Sequence, residues 1–215
     1  MNLLFDLDGT LADPMEAIAG SMHFAFEQLG LTRLSHETVR TLIGPPLHLE
    51  LPKLLGPGRA DLAPEVMRLY RQHHGETGIY LYKFFEGVDR ALAAVGPGNR
   101  IFVATSKPRF YADIILSHFG KAHFFEYIYG SELSGVNAKK GDLIRFAIGE
   151  RSLRPEETVM IGDRKHDVLG AAENGIPTVG VLWGYGSDAE LKQAGARATV
   201  DTWDALVGEL KKNTA

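Results

Sequence analysis

The chain has 215 residues, no cysteine and a formal charge of −4, with acidic and basic residues interspersed. Disulfides, thiolate nucleophiles and cysteine metal sites are excluded, and there is no basic stripe or polycationic tail for a nucleic acid polymer. A chain of this length forms one large domain, or a domain with a modest insertion, and buries a substantial core either way.

The opening run Asn2-Leu3-Leu4-Phe5 ends in Asp6-Leu7-Asp8-Gly9-Thr10. It reads as a strand buried on both faces, with two carboxylates at its carboxyl end and a glycine turn. Acidic residues this early, with no basic stretch ahead of a long apolar run, argue against a secretory signal peptide. No apolar run approaches the length of a membrane span, so no membrane partner and a cytoplasmic location are expected. Asp13 as N-cap and Pro14 at the first helical position then predict a helix, with Ile18, Met22, Ala25, Phe26 and Leu29 on its apolar face and Gly30 at its end. Further helices are predicted over 35–43, 47–55 and 64–74, with no strand among them.

From residue 86 the pattern alternates. Helices are expected over 88–95, 108–119, 141–150 and 166–174, and strands over 100–105, 127–129, 158–161 and 177–181. A helix, a short strand near 198–200 and a last helix follow. Such alternation implies parallel strands joined by helical crossovers, and the opening strand belongs to the same sheet. The predicted fold is α/β: a Rossmann-like, three-layer core (1–13 and 86–215) interrupted by an all-helical insertion (14–85).

Three more polar clusters follow predicted strands or open helices: Thr105-Ser106-Lys107-Pro108, Ala138-Lys139-Lys140-Gly141-Asp142 and Gly162-Asp163-Arg164-Lys165-His166-Asp167. The four-residue spacing lets Asp163 and Asp167 face one region. Asp6, Asp8, Asp163 and Asp167 brought together would repel one another without a cation. An all-oxygen donor set suits a hard ion, Mg2+ above all, because it keeps waters and accepts phosphate oxygens. A metal, a lysine and helix-end amides at one point describe a phosphoryl site at which an aspartate can attack phosphorus.

In the order and content of these motifs the chain resembles the haloacid dehalogenase-like hydrolase superfamily, in its phosphoglycolate-phosphatase-like branch, over essentially its whole length. The resemblance implies that Asp6 is nucleophile and metal ligand, and that Asp8 is the general acid and base. It implies magnesium bound by the side chains of Asp6 and Asp163 and the carbonyl of Asp8, supported by Asp167. Thr105 would hold the phosphoryl group and Lys140 would neutralise it, with Lys140 preferred to Lys139 from its offset to the following helix. Gly9, Thr10 and Ser106 are expected at the substrate, and the early insertion would be a helical cap hinged near 12–14 and 84–87.

Dehalogenases lack the second acid, so Asp8 argues for phosphate chemistry. Relatives that cleave phosphonates or act as sugar mutases carry a lysine or arginine shortly after the glycine that Gly44 resembles, where this chain has Leu47. The expected reaction is hydrolysis of a small phosphate monoester, phosphoglycolate nominally and a nucleoside monophosphate as the rival. A sugar-phosphate mutase and a phospho-aspartate receiver domain are more distant alternatives. His48, Lys53 and Arg109 are candidates for specificity. Surface or capping roles are expected for His73, His74 and His166, and Trp183, Tyr185, Tyr80 and Tyr82 either border the pocket or pack. A monomer or a homodimer is expected.

Overall fold

The structure, a computed structural model, describes residues 1–212. In chain order its first elements are β1 (Asn2–Phe5), β2 (Ala12–Asp13), α1 (Met15–Gln28), α2 (His36–Thr41), α3 (Leu47–Leu55), α4 (Ala63–Glu76), β3 (Lys83–Phe84) and α5 (Val88–Val95). They continue with β4 (Arg100–Pro108), α6 (Arg109–His118), β5 (Tyr127–Ser131), α7 (Lys140–Arg151), β6 (Thr158–Gly162), α8 (Lys165–Ala172), β7 (Thr178–Val181), α9 (Asp188–Ala194), β8 (Ala198–Val200) and α10 (Trp203–Lys211).

Alternation along β1 sets the layers. Leu3 and Phe5 enter a core built with α5, α6 and α10, while Leu4 faces the opposite core with α7 and α8. Both faces of the strand are therefore covered, as the unbroken apolar run requires. The six-stranded parallel sheet has the order β5-β4-β1-β6-β7-β8. Leu4 lies in register with Phe102 on one side and Met160 on the other. The carboxyl end of β1 is thus flanked by the ends of β4 and β6, where the chain order reverses and where ligands of such sheets bind.

Helices α1 to α4 pack around a third apolar cluster that includes Met22, Phe26, Ile43, Leu51 and Val66. Their ends differ from expectation at one informative place. Asp13 does not act as N-cap with Pro14 inside the helix. Instead, Asp13 stays extended in β2, paired antiparallel with β3, and its carboxylate accepts the Met15 N–H at 2.9 Å from one position further out. This two-stranded junction lies outside the 35–74 stretch in which no strand was expected, and only β3 falls within the 14–85 insertion expected to be all-helical; two residues per strand are too few to show alternation. Strand β4 also outruns its predicted end at 105, reaching Pro108 through a register shift between Thr105 and Pro108.

Helices α7 and α8 meet backbone to backbone at Gly170. A Cβ there would stand 2.7 Å from the Gly141 nitrogen and 2.8 Å from the Lys140 Cβ. Helix propensity alone favours alanine over glycine by about 1 kcal/mol, but this contact cannot relax without moving a helix. Gly170→Ala is expected to destabilise the protein by about 1–3 kcal/mol; a urea midpoint at or above the wild-type value would refute the close approach.

Candidate active site

Asp6 continues the pairing of β1, its N–H donating to the Ile161 carbonyl at 2.9 Å, before the chain turns. Gly9 makes the turn possible, with φ +85° and no room for a side chain: a Cβ would lie 2.3 Å from Asp163 Oδ2. Gly162 has the same function beneath Asp167, whose carboxyl carbon would be 2.3 Å from its Cβ. The ends of β1 and β6, with the start of α8, thereby bring three carboxylates together. One oxygen from each of Asp6, Asp163 and Asp167 lies within 4.8 Å of the others, and all three residues are buried.

Lys140, at the first turn of α7, supplies the ammonium for this cluster. Its Nζ lies 2.9 Å from Asp6 and 2.8 Å from Asp167, and it donates to the Ala104 carbonyl at 2.8 Å. Lys139 is exposed, so of the two lysines only Lys140 reaches the carboxylates. Burial pulls the Lys140 pKa down, but Asp167 and Asp6 outweigh it and hold the ammonium above its ordinary value. Burial, with the charges of Asp167 and Asp6, pushes Asp163 well above the ordinary carboxylate range. Burial and Asp6 also push Asp167 up to about 6 against the pull of Lys140.

Three buried carboxylates face one ammonium, so with all three ionised two negative charges would be uncompensated. That deficit and the all-oxygen donor set fit a hard divalent cation held by Asp6, Asp163 and Asp167. The Asp8 side chain stands outside this group and pairs with Lys107 at 2.9 Å, both side chains largely buried. Burial outweighs Lys107 and leaves the Asp8 carboxyl above its ordinary range.

A cavity opens over Asp6 and Asp8. The sheet contributes Thr105, Ser106 and Lys107 to its wall, and the helical segment contributes Leu47, His48, Arg71 and His74. Gly9 and Thr10, expected at the substrate, are turned to Asp163 instead: the Thr10 hydroxyl donates to Asp163 Oδ1 at 3.3 Å. Of the three specificity candidates, only His48 borders the cavity. Lys53 is exposed and pairs with Glu50, and Arg109 packs on Tyr127 beside Asp113. His166 is half-buried and outside the carboxylate cluster. His73 stacks on Phe24, whereas His74 is wholly buried against Tyr70, which overturns the surface role expected for it.

A family model for haloacid dehalogenase-like hydrolases matches residues 3–181. The chain belongs to the haloacid dehalogenase-like hydrolases. Its place is in their phosphoglycolate-phosphatase-like branch. It is 43% identical over 192 residues to a 5'-nucleotidase of Pseudomonas aeruginosa, covering 89% of this chain and 86% of that one. It is also 36% identical over 211 residues to the tyrosine-protein kinase PtkA of Mycobacterium tuberculosis, covering 98% of this chain and 71% of that one. Among solved structures, a predicted phosphatase from Clostridium acetobutylicum superposes with a TM-score of 0.92 at 33% identity, over 98% of each chain.

Within this hydrolase, Trp183 and Tyr185, expected either to border the pocket or to pack, belong to a segment whose backbone contact with Asp163 was not anticipated. The Tyr185 N–H donates to Asp163 Oδ2 at 2.8 Å, and a Cβ on Gly184 would stand 2.4 Å from that same oxygen. The tyrosine hydroxyl donates to Asp13 and the Trp183 indole donates to the Thr10 carbonyl at 2.9 Å. The signal was the pair of glycines around Tyr185, which only a close backbone approach explains. The pairing of Lys107 with Asp8 was missed too, since nothing in the local pattern distinguishes that lysine from a solvated one.

The raised carboxylates give metal binding a pH signature. A folded-state pKa of about 6 for Asp167, against an ordinary 3.8, means stability that is full below 3.8 and lost as pH rises through about 6 in the metal-free protein. A divalent cation removes that penalty and adds its own binding free energy. Added MgCl2 is therefore expected to raise the melting temperature more at pH 8 than at pH 5, as read by differential scanning fluorimetry. An equal shift at both values would count against the site.

Proposed function

We propose that the protein is a Mg2+-dependent phosphatase that hydrolyses small phosphate monoesters through an aspartyl-phosphate on Asp6. The observation that carries this reading is the division of labour between two neighbouring carboxylates. Asp6 lies in the cation cluster with Lys140 2.9 Å away, whereas Asp8, two residues on, sits outside it, paired with Lys107 and with its carboxyl raised by burial. The carboxylate at the cation is placed to attack, and the one whose burial favours the protonated form is placed to act as the acid.

Asp6 attacks phosphorus, the bond to the leaving oxygen breaks, and Asp8 gives that oxygen its proton. A water then attacks the aspartyl-phosphate, Asp8 takes the water's proton, and inorganic phosphate leaves with Asp6 restored. Lys140 and the Thr105 hydroxyl, at the register shift of β4, stand where charge on the phosphoryl oxygens would be neutralised. Mg2+, when bound by Asp6, Asp163 and Asp167 with the Asp8 carbonyl, would supply further charge stabilisation at those oxygens.

The helical segment acts in this reading as a cap that excludes bulk water. The β2–β3 pair is its junction with the core, and the Arg164 guanidinium reaches the Ile43 carbonyl across the gap while also pairing with Glu190 at 2.9 Å. Among the described residues no helix is long and apolar enough to cross a membrane, in keeping with a cytoplasmic enzyme acting on a small phosphorylated metabolite. Phosphoglycolate is the nominal substrate of the branch; the nucleotidase at 43% identity supports nucleoside monophosphates as the rival.

Release of inorganic phosphate from phosphoglycolate, nucleoside monophosphates and an aryl phosphate, with and without Mg2+, tests the reading. Asp6→Asn is expected to lose at least about a thousandfold in kcat, and full activity in that variant would overturn it. Asp8→Asn is expected to lose about 10²–10⁴-fold on alkyl esters and less on an aryl ester, whose leaving oxygen needs no proton. Equal losses on both would take the proton from Asp8.

A further inference from the structure

His74 is 1% exposed, yet it forms part of the wall of the catalytic cavity, and its Nε2 has no hydrogen-bond partner among the described residues. Buried polar atoms are paired in the great majority of cases, so this one calls for a partner. The bonds around the other ring nitrogen fix which kind.

The Ser21 hydroxyl donates its one proton to the Ala17 carbonyl at 2.7 Å. It can then only accept from His74 Nδ1 at 3.4 Å and from His73 Nδ1 at 3.2 Å, which uses both of its lone pairs. His74 Nδ1 therefore carries the ring proton. Burial and the nearby Lys107 ammonium hold the imidazole pKa well below its ordinary value, so the ring is neutral and Nε2 is a bare acceptor.

None of the donors around it reaches Nε2, although Arg71 Nε and the Tyr82 hydroxyl are themselves buried without a hydrogen-bond partner among the described residues. Lys107 is paired with Asp8 and lies over the Tyr82 ring, and the Tyr111 hydroxyl donates to the Arg71 carbonyl at 3.2 Å. The Tyr82 hydroxyl lies beside Asp8. Tyr70 stacks on the imidazole and Tyr111 meets it edge-on, so the ring is fixed in place. A preset acceptor in a cavity wall selects a ligand that brings a donor.

Resting on the phosphatase reading, we infer that His74 determines specificity by accepting a hydrogen bond from a hydroxyl on the alcohol part of the substrate. The substrate class is then a hydroxylated phosphomonoester, of the polyol, sugar or nucleoside kind. Phosphoglycolate does not qualify, because its ionised carboxylate has only acceptors to offer.

The test compares kcat/KM for glycerol 1-phosphate against propyl phosphate, and for a nucleoside 5'-monophosphate against its 2',3'-dideoxy counterpart. The wild-type enzyme is expected to prefer the hydroxylated member of at least one pair by about tenfold, chiefly through KM. His74→Phe, which keeps the stacking on Tyr70, should abolish that ratio, and His74→Gln, whose amide oxygen accepts, should retain most of it. No preference in the wild type, or a preference that survives in His74→Phe, overturns the inference even if neither variant is as stable as the wild type. Turnover without preference leaves the phosphatase standing, whereas no turnover of any ester by metal-loaded wild type overturns both.

Discussion

The site depends on one buried ammonium. Lys140 is buried between Asp6 and Asp167, and each partner makes the other tolerable. An ammonium without those carboxylates would be costly to bury, and the carboxylates without it would repel one another. The contact also joins three elements that are far apart in sequence: the tip of β1, the start of α7 and the start of α8. The Ala104 carbonyl adds β4, because the third Lys140 proton points there. The close approach of α7 to α8 at Gly170 brings the lysine within reach.

The same arrangement separates charge from chemistry. One neighbourhood carries a surplus of negative charge that suits a cation, while Asp8, two residues along the chain, has a private partner in Lys107. Neighbouring carboxylates of identical type thus acquire different partners, and burial beside Lys107 leaves Asp8 above its ordinary range. The turn at Gly9 is what places them in separate surroundings, since it lets Asp163 press against the chain just after Asp8.

Much of this was legible in the sequence, for a reason that also marks the limit. A buried apolar strand ending in acids beside a glycine announces both its burial and its polar tip, so Asp6 and Asp163 were expected at strand ends that share a site, and Asp167 by its four-residue spacing from Asp163. Lys140 was preferred to Lys139 only from its offset to the following helix under the family resemblance; the structure separates them, since Lys139 is an exposed N-cap and Lys140 is buried against the acids. Direction without a period was not legible: Thr10 adjoins the acids in sequence but turns its hydroxyl to Asp163, away from the cavity. His74 was unreadable because its partner Ser21 lies 53 residues upstream and its aromatic neighbours come from three separate segments. The β2–β3 junction is too short to leave a pattern at all.

That junction has a consequence for how such enzymes diversify. The two crossings into the helical segment lie side by side, bridged at Ala12 with Phe84 and Asp13 with Lys83. A segment whose ends are already clasped together imposes almost no geometric demand on the sheet that carries it. Its length, helix count and wall-forming side chains can drift or be exchanged wholesale, while the carboxylates and their lysine stay fixed on the other side of the clasp. The chemistry is inherited as one module and the choice of ester as another, and selection can act on the second without risking the first.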